Sequence, residues 1–448
     1  MTAPACADLS CAEIWGVFGS PAAMAGQLAD PGDHRRAPLT DHAGRNWGVI
    51  AWQGARAAGA VGRWTLRSGD ASVSWHGDGD LTLSRTARGM HTLYYRQDGE
   101  RVHFASRLPR LLHGLPAEAL RFEWRSLADV LALGRVLAPM TMFAGVFHLE
   151  PGGSLLWRAS QAGPPVAQWT SHPDSHATDA HSDDADKAPC CPFGSPGEGH
   201  GHAVARALAV ASPVEIFDQL AVAAGALGQP VGGMAEAAFS ALLETGQIQT
   251  DSLWDVDADL RADAGPANDV LLMRSALRGR WRKQLLEYWA EERRPGLLDR
   301  AAPERAATHG QRIAAWRIAS ERRLHLTALA EPHGRRLRFA TAGTVAPAPA
   351  VQAACDGVWA TAPQVGNLLA NAIDLHRNRA ASGNFVWCDA LRLSPFRVRA
   401  LARSAVPGFV FRFHEAVAAI LSMQYLGRFA TVLPLPALPG TPSDKACA

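Results

Sequence analysis

The sequence predicts an α+β protein, an antiparallel β region followed by a mainly helical one. Three observations carry that prediction. The apolar period is two over the first third and lengthens to that of an α-helix after about residue 203. Gly and Asp punctuate the first third as turn residues do. A polar, acidic tract stands between the two patterns.

The strands come first. Short β-branched or aromatic runs, WGVIAW, ASVSWHG, DLTLSR, TLYYR and RVHFAS, succeed one another up to Trp169. Their spacing is that of hairpins rather than of βαβ units. Gly89 and Gly152 fall where a turn needs positive φ, and Tyr94 and Tyr95 alternate across a half-buried strand. From 171 to 201 the chain reads SHPDSHATDAHSDDADKAPCCPFGSPGEGHG, too poor in large apolar residues to order itself, and is expected to be a linker or loop. Helical patterning follows in VARALAV, FDQLAVAAGALG and LLMRSALRGRWRKQLLEYWAEE, and returns in APQVGNLLANAIDLHR and VFRFHEAVAAILSMQYLGRF. A proline-bearing tail begins after Leu433. The expected organisation is therefore a β domain over 1–170, a linker over 171–201, a helical domain over 202–433 and a tail over 434–448.

Composition narrows the function classes. With 448 residues, 48% apolar, there is material for two cores. Lys+Arg 44 against Asp+Glu 42 leaves a net charge of +2, which demands no nucleic-acid partner. No apolar run reaches membrane-spanning length and the start lacks a signal-peptide pattern, so the expected compartment is the cytoplasm. The 7 cysteines form no C-x-x-C pair and are expected to be reduced, inert thiols. The lysines are Lys187, Lys283 and Lys445, so a mechanism needing a lysine has few choices. His172, His176, His181, Cys190, Cys191, His200 and His202 crowd the polar tract without a metal-site spacing, and no metal is expected there.

Two stretches are more particular. GDGDLTLSRTARGMHTLYYRQDGERVHFASRLPRLL, residues 77–112, resembles the late strands of the glutaminase-type domain of asparagine synthetases. There a ligand-bearing turn precedes a Gly, a Leu-Tyr-Tyr strand, a hairpin and a Phe-Ala-Ser strand entering a helix. SLADVLALGRVLAPMTMFAGVFHLEPGGSLLW, 126–157, resembles the same family's next segment, with a helix ending at Gly and a Leu-x-Pro-Gly hairpin, and Trp169 stands where the family commonly has Tyr-Trp. The resemblance implies an Ntn-hydrolase-like antiparallel sandwich followed by an eroded adenylating synthetase domain.

The resemblance also exposes departures. Family members hydrolyse glutamine with an N-terminal cysteine whose own α-amine is the base. Here the matching strand is AEIWGVFG, 12–19, and Cys11 lies inside the chain. Arg85, Thr86 and Gly89 occupy the vestigial glutamine-pocket turn, with Thr86 where the family has an aspartate. This implies a catalytically dead glutaminase domain, as in the β-lactam synthetases and lasso-peptide macrocyclases.

Neither a Ser-Gly-Gly-x-Asp-Ser pyrophosphate loop nor a Gly-Asp-Gly-x-Asp-Glu segment occurs in the second region. ATP and Mg²⁺ are therefore expected only if a diverged ligase survives. Its candidates are Lys283 beside the leaving pyrophosphate and the acidic Asp251 and Asp255, with Asp257 and Asp259, which lack glycines to turn them toward a nucleotide.

The expectation is a pseudo-synthetase, a scaffold or binding partner in peptide natural-product biosynthesis of the lasso-peptide kind. Its partner would be a peptide substrate or a catalytic paralogue, in a hetero- or homo-oligomer. Two readings compete with it. One is an active ATP-dependent amide-bond-forming ligase. The other is an Arg-rich helical module, built on Arg278, Arg280, Arg282, Arg293, Arg294, Arg312, Arg317, Arg322 and Arg323, that binds an acidic partner. The apolar stripe from Val410 to Phe429 reads as core.

Overall fold

The computed structural model describes residues 12–22, 24, 35–60, 63–86, 89–116, 120–158, 166–171, 213–231, 234–244, 253–254, 277, 279–295, 321, 323–333, 338–339, 418–420 and 422–423. Within them the chain is α+β, with antiparallel sheets first and helices after, as its two periodicities require.

Twelve strands build the first region: β1 (Glu13–Gly19), β2 (Arg35–Thr40), β3 (Asn46–Gln53), β4 (Arg56–Ala60), β5 (Arg63–Ser68), β6 (Ala71–His76), β7 (Asp80–Arg85), β8 (Tyr94–Asp98), β9 (Arg101–Ala105), β10 (Val146–His148), β11 (Gly153–Arg158) and β12 (Val166–Ser171). One six-stranded sheet runs β10-β8-β9-β1-β3-β2 and the other β12-β11-β7-β6-β5-β4. Every pairing within the two sheets is antiparallel.

The alternation in β6 and β7 explains how the sheets meet. Ala71, Val73 and Trp75 point inward from β6, and Leu81, Leu83 and Arg85 from β7, while the residues between are only part-buried. One apolar core takes Ile14, Phe18, Ile50 and Phe104 from the first sheet and Leu66, Val73, Trp75, Leu83 and Trp157 from the second. Phe18 meets Trp75 edge-on at 6.0 Å, and Tyr95 meets Trp157 edge-on at 5.2 Å. Gly16 and Gly48 let the strands close: a Cβ on Gly48 would stand 2.2 Å from the Val17 carbonyl oxygen. Asp41 closes the β2–β3 turn by accepting from the Ala43 and Arg45 amides and from the Trp47 indole.

Gly89 and Gly152 both have positive φ, 73° and 72°, as their turn positions require. Tyr94 and Tyr95 differ from expectation, because both are buried. The Tyr94–Tyr95 end of β8 is covered on both faces, whereas Gln97 and Asp98 at its other end are exposed.

Two helices complete this region. α1 (Leu108–His113) starts with a proline in its first turn, and α2 (Ser126–Leu133) is buried all round and ends on Gly134 in the left-handed conformation. Later come α3 (Pro213–Leu227), α4 (Met234–Glu244) and α5 (Gly279–Tyr288), the last continued by a π-helical turn, Trp289–Arg293. Residues 323–330 are helical and run into the 3₁₀ turn Glu331–His333. A short parallel ladder of β13 (Leu253–Trp254) and β14 (Arg338–Phe339) also occurs in this otherwise helical region. Ala418, Ala419, Ile420 and Met423, inside the apolar stripe, are buried. No helix among the described residues is long and apolar enough to cross a membrane. The tract 171–201 lies outside the described residues except for Ser171, and the tail lies wholly outside them.

Candidate functional site

The polar features of the chain converge on a buried seam between the β region and the later helices. Arg85 is its centre. As the last residue of β7 it keeps the inward parity of Leu81 and Leu83, so its guanidinium enters the interior at 2% exposure. Nη1 donates to the Leu149 carbonyl at 2.7 Å and Nη2 to the Gly89 carbonyl at 2.7 Å. The same Nη1 lies 3.5 Å from Oε1 of Glu321, which is also buried. The left-handed Gly89 turns its carbonyl toward this arginine, and Thr86 stands outside, exposed, with its amide donating to Asp70.

Around the pair sit Tyr94, His148 and Gln229. His148 is fully buried at the end of β10, stacks on Tyr94 at 5.4 Å, and has neither ring nitrogen within hydrogen-bond reach of a protein group. Burial, with the Arg85 guanidinium nearby, pushes its pKa down to about 4, so the ring is neutral at pH 7. Its Nε2 is 4.0 Å from Glu321 Oε2, too far for a direct hydrogen bond. Gln229 donates from Nε2 to the Tyr94 hydroxyl at 3.4 Å, and burial raises the Tyr94 pKa.

A second tie crosses the seam beside the first. Arg107, just before α1, pairs through Nη2 with Glu331 Oε2 at 2.6 Å and through Nε with Glu13 at 3.4 Å. His91 accepts the Asp70 amide on Nδ1 at 3.2 Å, so Nε2 carries the proton and donates to Glu331 Oε1 at 2.7 Å. Burial opposes ionisation of Glu331, but the His91 hydrogen bond and the Arg107 charge outweigh it and hold its pKa below the ordinary 4.5.

The sign of the linkage follows from that direction. A carboxylate with a folded-state pKa below its unfolded value adds stability that is complete above the unfolded pKa and is lost as pH falls through the folded one. Denaturant unfolding of the wild type and of Glu331→Gln at several pH values between about 6 and 3 should therefore show a steeper acid loss in the wild type. Parallel acid limbs would remove Glu331 from that role.

Two further ties use α2 and its exit. Asp129, fully buried, accepts from Arg293 Nε at 2.8 Å and Nη2 at 2.5 Å, and from the Leu137 amide at 3.1 Å. Arg293 also donates to the Leu137 carbonyl at 3.0 Å. Arg135, buried after Gly134, lies 3.2 Å from Glu236 Oε1 on α4, and His325 Nδ1 lies 3.3 Å from the same oxygen. Each tie joins an early residue to one more than a hundred positions later, so the β region and the helices are held by ionic contacts made inside the molecule.

A cavity of about 290 Å³ opens next to the Asp129–Arg293 pair. Met140, Phe143, Phe147 and Tyr288 line it, with carboxylates of Glu123, Glu150 and Glu292 among its walls.

The structure separates the residues singled out from sequence. Arg85 and Gly89 are together in the seam and Thr86 is not. Lys283 is 78% exposed on α5, 3.6 Å from Glu287 one helical turn on. So exposed a side chain does not by itself form a buried phosphate site. Asp251 and Asp255 flank β13 and lie outside the described residues, as do Cys11, Lys187, Lys445 and the His-rich tract. Among the described residues no group of three His, Cys, Asp or Glu side chains gathers as a metal site. Of the Arg-rich stretch, Arg282 and Arg294 are exposed whereas Arg293 is committed to Asp129.

Sequence reasoning missed Glu321, Glu331, His148, Asp129 and Glu236. Asp129 and Glu236 sit among apolar residues in helical runs, and a carboxylate at an inward helix position signals a buried partner. His148 keeps the inward parity of Val146, a comparable clue.

No protein-family model matches the chain, and no match is found among curated proteins.

Proposed function

We propose that the chain is an asparagine synthetase-like pseudo-synthetase: an Ntn-hydrolase-like sandwich joined to a degenerate adenylating domain, acting as a scaffold that binds a peptide or a catalytic paralogue in peptide natural-product biosynthesis. One observation carries the proposal. The arginine of the vestigial glutamine turn spends its guanidinium on the Leu149 and Gly89 carbonyls and on Glu321, all within the chain. With both terminal nitrogens so committed and the side chain buried, the group is a strut between the two regions rather than a receptor for a substrate carboxylate.

Three further features support the reading. Two six-stranded antiparallel sheets share one core, and Gly89 and Gly152, in the two stretches that carry the resemblance, have the positive φ that a turn wants there. The start of β1 is tied down by its own chain: Ser68 donates to the Ala12 carbonyl at 2.6 Å, and the Ile14 amide donates to Ser106 Oγ at 3.0 Å. The parallel pairing of β13 with β14 is consistent with a remnant of a parallel sheet in a degenerate domain.

Incubation of the purified protein with glutamine, read as ammonia release, tests the glutaminase half of the proposal. Release no faster than in buffer is expected, because the matching strand begins with Ala12 and Arg85 is occupied. Enzyme-dependent, saturable release would overturn it.

A further inference from the structure

The cavity beside Arg293 shares that residue with the seam, and the rest of its lining has a chemistry of its own. Phe143, Tyr288 and Phe147, the last on the edge strand β10, give it an aromatic lining. Phe147 is 38% exposed, one of two exposed large apolar side chains among the described residues, and its ring is backed by Tyr95 at 5.8 Å. The backbone of β10 is already engaged: the His148 amide donates to the Pro139 carbonyl, and the Val146 carbonyl accepts from Thr141. A ligand here would be held by side chains and not by strand addition.

The charges point to the sign of that ligand. Glu123, Glu150 and Glu292 line the cavity against Arg125 and Arg293, and Arg293 is already neutralised by Asp129. Carboxylates therefore outnumber guanidinium groups. An aromatic wall suits a cation too: the chain's own Arg125 already lies over the lining Tyr288 ring at 5.7 Å, which leaves Phe147 as the exposed ring. At about 290 Å³ the cavity is at the small end for ligand clefts, room for one long side chain and its neighbour.

We infer that this cavity docks a cationic side chain of a peptide partner, the carboxylates of its walls facing the cation and Phe147 covering an adjacent apolar residue. The inference rests on the peptide-binding part of the proposed function and names the class of peptide.

Fluorescence anisotropy with labelled Gly-Phe-Arg-Gly, compared with the same tetrapeptide carrying citrulline for arginine, tests it on the full chain. The arginine form is expected to bind about fivefold or more tightly. That preference should shrink as salt rises, and Glu292→Gln and Phe147→Ser should each weaken binding with an unchanged circular dichroism spectrum. Equal affinity for the two tetrapeptides, or no saturable binding of the arginine form, would overturn the inference. So would Phe147→Ser converting a dimer to a monomer in sedimentation while leaving peptide affinity intact, which would make the face a contact between copies of this chain. Glutamine hydrolysis or ATP turnover would defeat the scaffold reading without touching this result, so the two failures are distinguishable.

Discussion

Arg85→Met is expected to lower the free energy of unfolding by about 3–5 kcal/mol, the range for removing one partner of a buried ion pair. The substitution preserves length and apolar volume but strips the Leu149 and Gly89 carbonyls of their donor and leaves the Glu321 carboxylate facing a neutral imidazole. Glu321→Leu should cost less, because Arg85 would keep both carbonyl acceptors. The double variant Arg85→Met/Glu321→Leu should be more stable than the sum of the two losses implies, since it removes the orphaned charge with its partner. Denaturant titrations of the four proteins measure the coupling. Additive losses would mean that the 3.5 Å pair carries no interaction energy, and a stable Arg85→Met would contradict its role as a strut.

Trp75→Ala should cost a similar amount, about 3–5 kcal/mol. Trp75 is fully buried between the sheets, packs edge-on against Phe18 of the facing sheet, and donates its indole N–H to the Thr40 carbonyl at 3.0 Å. Truncation opens a cavity where the two sheets meet and leaves a buried carbonyl without its donor. The loss should appear as a lower denaturant midpoint with an unchanged slope. A loss below about 1 kcal/mol would mean that the sheets do not share this core.

The β region was legible because its strands follow period two. In β6 and β7 the alternation from Ala71 to Trp75 and from Leu81 to Leu83 identifies the inward face, and the same parity carries Arg85 inside. Gly89 and Gly152 were legible for a different reason, since a turn conformation is a local demand. The seam was not legible. Glu331 and His91 are 240 residues apart, and no periodicity connects an acid in one helix with an imidazole in a distant turn. β8 read as half-buried because the cover over Tyr94 comes from distant residues such as Gln229, which alternation within the strand cannot report. The short β13–β14 ladder escaped because two-residue strands are too brief to show a period.

Lys283 illustrates the converse. Its residue type suits pyrophosphate chemistry, but type alone does not place a group, and Lys283 is out in solvent on α5. Among the described residues each carboxylate of the seam's ties has an arginine partner, Arg85, Arg107, Arg135 or Arg293, with His91 and His325 beside two of them. A planar guanidinium can serve a carboxylate and carbonyls together, as Arg85 and Arg293 both do.

Titration of the purified full-length chain with ATP and Mg²⁺ by calorimetry, with thermal unfolding followed in parallel, tests the pseudo-synthetase reading most directly. A ligand specific to the folded state must raise its stability by mass action. The expected result is no saturable heat and no rise in midpoint at nucleotide concentrations of roughly 1–5 mM. Saturable binding with a matching thermal shift would contradict it, and would return the chain to the ATP-dependent ligases.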